Sequence, residues 1–232
     1  MKNPKNITTY FVRFSRTFVC ASLTILLFIS SLTISPPQNA LAETSTDDHL
    51  VVRYEFNDNT NDISGNGKNA IAYRGPQTGT DRFGERKNVY TFDGIDDFIQ
   101  ATADIPERNF TISLWLKTSA SNTGVLSIRS DRGGHDRHFY LHNGIPHHRV
   151  WQGGAWSVNN NVIINDGEWH HWVLTVEDNV GQKAYIDGSL AGQHAYDHSD
   201  FNWQNLITIG YSDDAVGKFF KGSLDDVRIY SK

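Results

Sequence analysis

Histidine, arginine and aromatic residues are concentrated between positions 135 and 156 of this 232-residue chain. Phe139, Leu141 and Val150 are spaced with strand period in two runs, and Asn143-Gly144 between the runs is typical of a hairpin turn. Because strand side chains alternate between faces, the polar and aromatic residues should share the face opposite these apolar ones. The predicted ligand-binding residues lie at the entry of this hairpin, along its outer face and just beyond it: His135, Asp136, Arg137, His138, Tyr140, His142, His147, Arg149, Trp151 and Trp156.

Three uses of this face are open. A sugar can stack on Trp or Tyr and form hydrogen bonds with Asp, Asn, Arg and His. The neutral imidazoles of His138, His142 and His147 suit zinc or copper, although no cysteine or carboxylate completes a tetrahedral set. The third use is a solvated polar sheet face without a ligand. We favour the glycan.

A second group of polar residues is acidic. Asp225 and Asp226 lie at the start of a final alternating run that contains Leu224, Val227 and Ile229. Acidic neighbours are disfavoured in a strand and should point to opposite faces, so a cation is a natural partner for one of them. Calcium takes six to eight oxygen ligands, and the Asn- and Asp-rich loop at residues 57–66 offers such groups.

Residue patterns for catalysis are missing. A glycosidase generally needs two carboxylates across the scissile bond, whereas the adjacent pairs Asp96-Asp97, Asp213-Asp214 and Asp225-Asp226 should point to opposite faces. The chain also lacks nucleophile-elbow, zinc-protease and phosphate-loop motifs. We therefore expect a non-catalytic protein, with an atypical glycoside hydrolase or lyase as an alternative.

The elements that position these groups are predicted to be strands, because nearly every segment alternates and none has sustained helical period. Asp187-Gly188 is a second hairpin signal, while residues 119–136 show no reliable strand pattern. Besides the hairpin above, strands are predicted at residues 51–56, 88–92, 98–101, 110–117, 172–177, 183–186, 189–193, 206–210 and 222–230. The predicted fold class is all-β, an antiparallel sandwich or jelly roll.

Residues 1–42 are predicted to be a secretory signal peptide, with a basic start, an apolar run and the cleavage pattern Ala40-Leu-Ala42. An uncleaved anchor is the alternative. Cleavage would remove Cys20, the only cysteine, and four basic residues, which changes the net charge from −5 to −9. That charge argues against nucleic acid and anionic membranes as partners. Residues 43–49 are a predicted flexible leader, and residues 50–232 form one predicted domain that is secreted, periplasmic or at the cell surface.

Six motifs in order carry a resemblance to a known family: Tyr54-Glu-Phe56 with Asp62-Ile-Ser-Gly-Asn-Gly67, Phe92-Asp-Gly-Ile-Asp-Asp-Phe98, Phe110-Thr-Ile-Ser-Leu-Trp-Leu116, Gly167-Glu-Trp-His-His-Trp172, Ala184-Tyr-Ile-Asp-Gly188 and Gly222-Ser-Leu-Asp-Asp-Val-Arg-Ile-Tyr230. With them the chain resembles secreted bacterial laminin-G-like domains of the concanavalin A-like superfamily. The resemblance implies two curved antiparallel sheets packed face to face, with the first and last strands adjacent. It also implies extracellular binding of a glycan or a protein, often with calcium.

By that resemblance, Asp62 and Asp225 are the nominated calcium ligands, with Asn57, Asn66 and Asp226 as weaker candidates. The ion would be structural and would tie the chain ends together. The alternative is that these residues only form Asx-turns and loop hydrogen bonds.

Aromatic parity identifies the predicted core. Trp172 shares its face with Leu174 and should be buried, and His170 should lie inward beside it as a hydrogen-bonded histidine. Trp115 and Trp169 are predicted to be packing or sheet-face residues. The predicted function is a secreted carbohydrate- or glycoconjugate-binding module, with a structural or adhesive protein-binding domain as an alternative.

Overall fold

The structure is a computed structural model that describes residues 46–131, 135–150, 154–156, 162–196 and 203–232, with the backbone alone at residues 46–47, 135–136 and 154–156. Thr44–Lys232 form one compact unit. The predicted signal peptide lies outside the described residues. Within the predicted leader, Thr46–His49 form a single 3₁₀ turn. The backbone oxygen of His49 accepts a hydrogen bond from the Ser231 N–H (2.8 Å).

Two antiparallel sheets account for the strands in the described part of the chain, which confirms the all-β sandwich. The first sheet has eight strands. They are β1 (Leu50–Tyr54), β3 (Gln77–Thr80), β4 (Arg86–Asp93), β6 (Phe110–Lys117), β11 (Trp169–Glu177), β12 (Gly181–Ile186), β13 (Ser189–His194) and β15 (Lys221–Tyr230). The spatial order is β13-β12-β11-β6-β15-β4-β3, and β1 pairs with β15.

The second sheet has seven strands in the order β10-β9-β8-β7-β14-β5-β2. They are β2 (Ile71–Tyr73), β5 (Phe98–Thr102), β7 (Thr123–Arg129), β8 (His135–His142), β9 (Ile145–Val150), β10 (Gly154–Trp156) and β14 (Leu206–Ile209). Alternate side chains from both sheets form one apolar core. Each sheet therefore has an inner face in the core and an outer face toward solvent.

The chain ends meet in the first sheet, as the resemblance implied. β1 runs antiparallel to β15, with Tyr54 opposite Val227. On its other side β15 pairs with β6, and its first residues pair with β4. The last described strand is thus internal to its sheet.

Strand β7 was not predicted. Its first six residues are all buried, including the polar Thr123 and Ser127, because it lies between β8 and β14 and is covered on both faces. A strand buried on both faces lacks polar–apolar alternation, so its pattern gave no strand signal. The short edge strands β2 and β3 were also missed.

Both predicted hairpin turns are confirmed. Asn143 and Gly144 have φ of 52° and 78°, and Asp187 and Gly188 have the same values. Positive φ at both central residues is the type I′ geometry that matches strand twist. A Cβ at Gly144 would lie 2.1 Å from Oδ1 of Asn165, so glycine is required there. No helix among the described residues has the length and apolar character to cross a bilayer.

Candidate ligand-binding face

The β8–β9 hairpin has the predicted parity. Phe139, Leu141 and Val150 are buried in the core. On the outer face, His138 lies opposite Arg149 and Tyr140 lies opposite His147. The sequence pattern therefore identified which hairpin residues share the outer face.

Three aromatic rings cluster on that face. Tyr140 and His147 are stacked with centroids 5.2 Å apart, and the His142 ring meets His147 edge-on at 5.8 Å. Burial, and then the proximity of His142, lowers the pKa of His147. His147 is therefore neutral at pH 7, and the exposed His142 offers the most accessible ring of the three.

His138 and Arg149 hold a neighbouring loop. His138 is only 1% exposed, and its Nδ1 forms a hydrogen bond with the Ser212 hydroxyl (3.1 Å). Nη1 of Arg149 donates to Oδ1 of Asp214 (2.6 Å). The loop after β14 is fastened to the hairpin by these contacts, so His138 is not accessible to a ligand in this structure.

Arg137 is a correction to the predicted ligand set. Its side chain is fully buried because it shares parity with Phe139 and points inward. Its Nη2 donates to the Glu107 backbone oxygen (2.6 Å), and its guanidinium lies 4.3 Å from the Phe110 ring centre. Arg137 therefore contacts a strand and a loop of the sandwich interior, not a ligand on the outer face.

The other hairpin candidates are only partly described. His135 and Asp136 lie in β8, and Trp156 lies in β10. The structure describes only the backbone of these three residues, and Trp151 lies outside the described residues.

The transition-metal alternative gains no support from the described residues. The only group of three or more His, Cys, Asp or Glu donors that converges among them is Asp93, Asp96 and Asp97. The three nominated histidines do not converge in this way, and His138 is turned toward Ser212.

An open cleft of about 250 Å³ lies on the same outer face, nearer the β2 edge. Gln100, Thr208, Ser127 and His138 occupy successive paired positions across β5, β14, β7 and β8, which connects this cleft with the hairpin. The described residues that line it are Phe98, Gln100, Arg129, Thr208, Tyr211 and Phe219.

Aromatic rings and hydrogen-bonding groups alternate around this cleft. Tyr211 and Phe219 form an isolated bridge, and their ring centroids are 5.1 Å apart. Phe98 stacks on the exposed Tyr73 at 4.8 Å. On the floor, the Gln100 amide donates to the Thr208 hydroxyl (3.0 Å).

Charged groups border the cleft. The Arg129 guanidinium lies 5.4 Å from the Tyr211 ring centre, and its Nη1 is 4.0 Å from Oδ2 of Asp213. The Tyr211 hydroxyl and Lys218 Nζ both donate to Oδ1 of Asp213. Burial, together with the Asp213 carboxylate, raises the pKa of Tyr211 to about 12. Although burial acts the other way, hydrogen bonds from Tyr211 and Lys218 lower the pKa of Asp213, which is therefore ionised.

The nominated calcium ligand Asp62 organises its own loop. Oδ1 accepts hydrogen bonds from the N–H groups of Arg53 (3.0 Å) and Ser64 (2.9 Å). Oδ2 accepts from the Lys68 N–H and the Ser64 hydroxyl, both at 2.9 Å. Burial alone would raise the pKa of Asp62, but these four donors lower it. Both oxygens are thus already engaged by the loop and by β1.

The weaker loop candidates also have local roles. Nδ2 of Asn66 donates to the backbone oxygen of Leu50 (2.7 Å), which fastens the loop to β1. Nδ2 of Asn57 donates to the Glu55 carboxylate (3.1 Å). This arrangement agrees with the alternative of loop hydrogen bonds.

Asp225 and Asp226 lie on the same side of the sheet, which corrects the expectation of opposite faces. The pairing of β15 with β6 is interrupted by a bulge between Asp225 and Arg228, and Asp226 has φ of 47°. The extra residue turns Asp226 toward the side of Asp225 while Val227 still faces the core. Simple alternation does not hold across a bulge.

Both carboxylates of the acidic pair form ion pairs with arginine side chains. Arg82 forms an ion pair with Asp225 and lies 3.8 Å from Asp226. Arg228 binds Asp226 through two hydrogen bonds of 2.7 Å. The cleft around these groups, of about 310 Å³, includes Asn57 but not Asp62 or Asn66. The nominated calcium ligands are therefore not brought together, and with these partners they do not form a ligand set that fits the ion.

The comparisons with known proteins agree with this architecture. The model of a laminin-G-type family, described as the concanavalin A-like lectin/glucanases superfamily, matches residues 93–232. The chain belongs to this superfamily. The resemblance in its motifs is thereby confirmed, and no curated protein sequence matches it.

Solved structures share the concanavalin A-like fold at low identity. Domain 4 of AbnA, a GH43 extracellular arabinanase from Geobacillus stearothermophilus, in complex with arabinotriose, has a TM-score of 0.62 at 19% identity, over 78% of this chain and 92% of that chain. The binding domain of Paraclostridial Mosquitocidal Protein 1 has a TM-score of 0.63 at 18% identity, over 81% and 50%. The binding domain of botulinum neurotoxin DC in complex with SialylT has a TM-score of 0.62 at 14% identity, over 81% and 49%. The chain spans about half the length of these two toxin structures.

Sequence reasoning did not nominate the residues of the cleft in this concanavalin A-like domain. Phe98 and Gln100 flank the buried Ile99, so the alternation in β5 could have placed both residues on the outer face. Arg129 was missed because β7 was missed. Tyr211 and Phe219 lie outside regular strands, so no period could have placed them together.

Proposed function

We propose that this protein is a secreted, non-catalytic module that binds a carbohydrate on the outer face of its seven-stranded sheet. The cleft lined by Phe98, Tyr211 and Phe219 is the observation that carries the proposal. Aromatic rings can stack on the apolar face of a sugar, while Gln100 and Thr208 offer donors and acceptors to its hydroxyls. Similar folds in complexes with arabinotriose and with SialylT support the same proposal.

The absence of catalysis is part of this proposal. Of the described residues that line the cleft, none is a carboxylate. Asp213 borders it, but its Oδ1 accepts hydrogen bonds from Tyr211 and Lys218. A glycosidase of the usual kind needs two carboxyl groups across the scissile bond. The arrangement therefore supports binding over hydrolysis.

A protein partner is the second candidate. Ile71 and Tyr73, exposed apolar residues of the β2 edge, lie beside the cleft. Apolar side chains grouped at a sheet edge are a common feature of docking surfaces. A glycan screen separates the two candidates, because an adhesive domain would leave the cleft without a sugar.

A glycan array followed by calorimetry tests the proposed face. We expect one class of oligosaccharide to bind, and we expect Phe219→Ala to weaken that binding at least tenfold, about 1.4 kcal/mol, because a stacking platform is lost. Phe83→Ala is the matched control, since Phe83 is an exposed ring that lines the charged cleft beside Asp225 on the eight-stranded sheet. The same mixtures should release no new reducing ends.

Binding that is unchanged in Phe219→Ala and Phe98→Ala would remove the cleft as the site. An array without any positive glycan would contradict the function itself, and reducing-end release would restore the hydrolase alternative. His142→Ala and His147→Ala then show whether the ligand extends over the β8–β9 hairpin.

Calcium is tested separately by melting. Because the Asp62 oxygens are hydrogen-bonded and the Asp225-Asp226 pair is held by guanidinium groups, we expect metal-stripped protein to melt at the same temperature with and without added calcium. Differential scanning fluorimetry with a chelator as reference measures this. A rise in melting temperature on addition of calcium would contradict the expectation. It would indicate a structural ion that is bound by other ligands.

A further inference from the structure

We infer that Arg129 makes the cleft selective for acidic sugars, in which a carboxylate is attached to the sugar ring. This inference rests on the proposed carbohydrate-binding function and specifies its ligand class. It follows from the position of Arg129, from its weak engagement with the surrounding protein and from the balance of charge at the cleft.

Arg129 is the last residue of β7, a central strand of the seven-stranded sheet. It lies opposite Leu206 in β14, two positions beyond the Ser127–Thr208 pair, and therefore shares the outer face with Ser127. Its guanidinium is next to the Tyr211 ring. A rigid strand thus presents a permanent positive charge to the wall of an aromatic cleft.

The contacts of Arg129 leave much of its hydrogen-bonding capacity unused among the described residues. Its ion pair with Asp213 has a separation of 4.0 Å, at the outer limit of such a contact, and 26% of its side chain is exposed. Two other guanidinium groups on the outer faces are held more closely, in the Arg149–Asp214 pair at 2.6 Å and the Arg228–Asp226 pair at 2.7 Å. Arg129 therefore has donors available for an incoming anion.

Charge at the cleft also favours an anion. Arg129 and Lys218 contribute two positive charges, and Asp213 contributes one negative charge. Oδ1 of Asp213 already accepts hydrogen bonds from Tyr211 and Lys218. A local excess of positive charge in a chain of net charge −5 is where a carboxylate gains the most from electrostatic attraction.

Shape is consistent with a carboxylated sugar ring. A guanidinium presents its N–H groups as a planar fork that matches the two oxygens of a carboxylate. With the ring stacked on Tyr211 or Phe219, its carboxylate can face Arg129 while its hydroxyls face Gln100 and Thr208. A cleft of about 250 Å³ is smaller than most pockets that enclose a drug-sized ligand, roughly 300–1,000 Å³, so it suits one terminal or internal sugar residue.

Calorimetry with matched sugar pairs tests the inference. Oligogalacturonates are compared with their carboxyl-reduced, neutral forms, and sialyllactose is compared with lactose, at low and at physiological salt. We expect the wild-type protein to bind the acidic member of at least one pair about 10–100-fold more tightly, because hydrogen bonds to charged groups are the stronger ones. Arg129→Gln should remove that preference and change the affinity for the neutral member less than threefold. Arg129→Lys should keep part of it, and salt should weaken it.

Arg86→Gln is the matched control, because Arg86 is an exposed arginine of β4 in the other sheet. It should leave the preference intact. Equal or tighter binding of the neutral sugars by the wild-type protein would overturn the inference while the carbohydrate-binding function stands. Preference for the acidic sugar that survives Arg129→Gln would also overturn it. If none of these sugars binds, the inference fails, and if the glycan array is also negative, the carbohydrate-binding function fails with it. The comparison of acidic and neutral sugars uses the wild-type protein alone. It therefore tests the inference even if Arg129→Gln folds poorly.

Discussion

Replacing Trp172 by alanine is expected to lower the free energy of unfolding by about 3–5 kcal/mol. Trp172 is one of the largest fully buried side chains, with 2% of its surface exposed. It lies in β11 between Leu114 and Ile186 of the neighbouring strands. Its ring meets Phe139 of the other sheet edge-on, with centroids 5.2 Å apart. The substitution would therefore open a cavity between the two sheets.

Chemical denaturation followed by circular dichroism measures this effect. Leu190→Ala is the control, since Leu190 is exposed in β13 and should cost less than about 0.5 kcal/mol. The indole Nε1 has no hydrogen-bond partner among the described residues, so the loss is expected to come from packing. A loss below about 1 kcal/mol for Trp172→Ala would mean that the sheets repack around the gap.

The contribution of Asp225 to stability is expected to fall as the pH rises from about 4 to 7. Burial, which outweighs the attraction of Arg82, raises the pKa of this carboxyl to about 7, and repulsion from Asp226 contributes. Between its ordinary pKa near 4 and that value, the folded state binds a proton that the unfolded state has released. The contribution is therefore full below about pH 4 and is lost above pH 7, with a slope of at most about 1.4 kcal/mol per pH unit. Because burial lowers the pKa of His148 to about 3, which gives a contribution of opposite sign, the effect of Asp225 is measured as the difference between the profiles of the wild-type protein and Asp225→Asn.

The substitution Arg82→Met tests the raised pKa of Asp225 in a second way. Without its guanidinium the Asp225 carboxyl should bind a proton even at pH 8. Because its pKa in the wild-type protein is about 7, the loss of stability should be up to about 1.4 kcal/mol larger at pH 8 than at pH 5. Lys87→Met removes an ion pair with Asp58 in which both side chains are exposed and should cost less than about 1 kcal/mol at either pH. Equal losses for Arg82→Met at pH 5 and pH 8 would contradict the raised pKa.

The sandwich could be predicted from sequence because alternation is a property of each strand by itself. β6 and β9 alternate between buried and partly exposed residues, as their sequences indicate. The same rule gave the outward parity of His138, Tyr140 and His147. It could not show that His138 lies beneath the loop after β14, because that cover comes from residues more than seventy positions away.

The errors have equally local causes. At Asp226 a single residue with positive φ breaks the alternation, so both acids point to one side. Arg137 was included among the ligand-binding residues at the entry of the hairpin, although its parity with Phe139 points inward, where it is buried. The cleft itself combines β5, β7 and β14 with Tyr211 and Phe219, and only the folded chain shows which of these distant segments are neighbours.

The placement of β15 has a consequence for the order of events during folding. Its ten residues pair with β6 on one side and with β4 and β1 on the other. Without them the eight-stranded sheet would fall into separate pieces, and the core beneath Leu224, Val227 and Ile229 would stay open to water. Assembly therefore requires contacts between the most distant parts of the domain, which is slow relative to local structure. The eight-stranded sheet therefore cannot be completed until residues 221–230 have been synthesised.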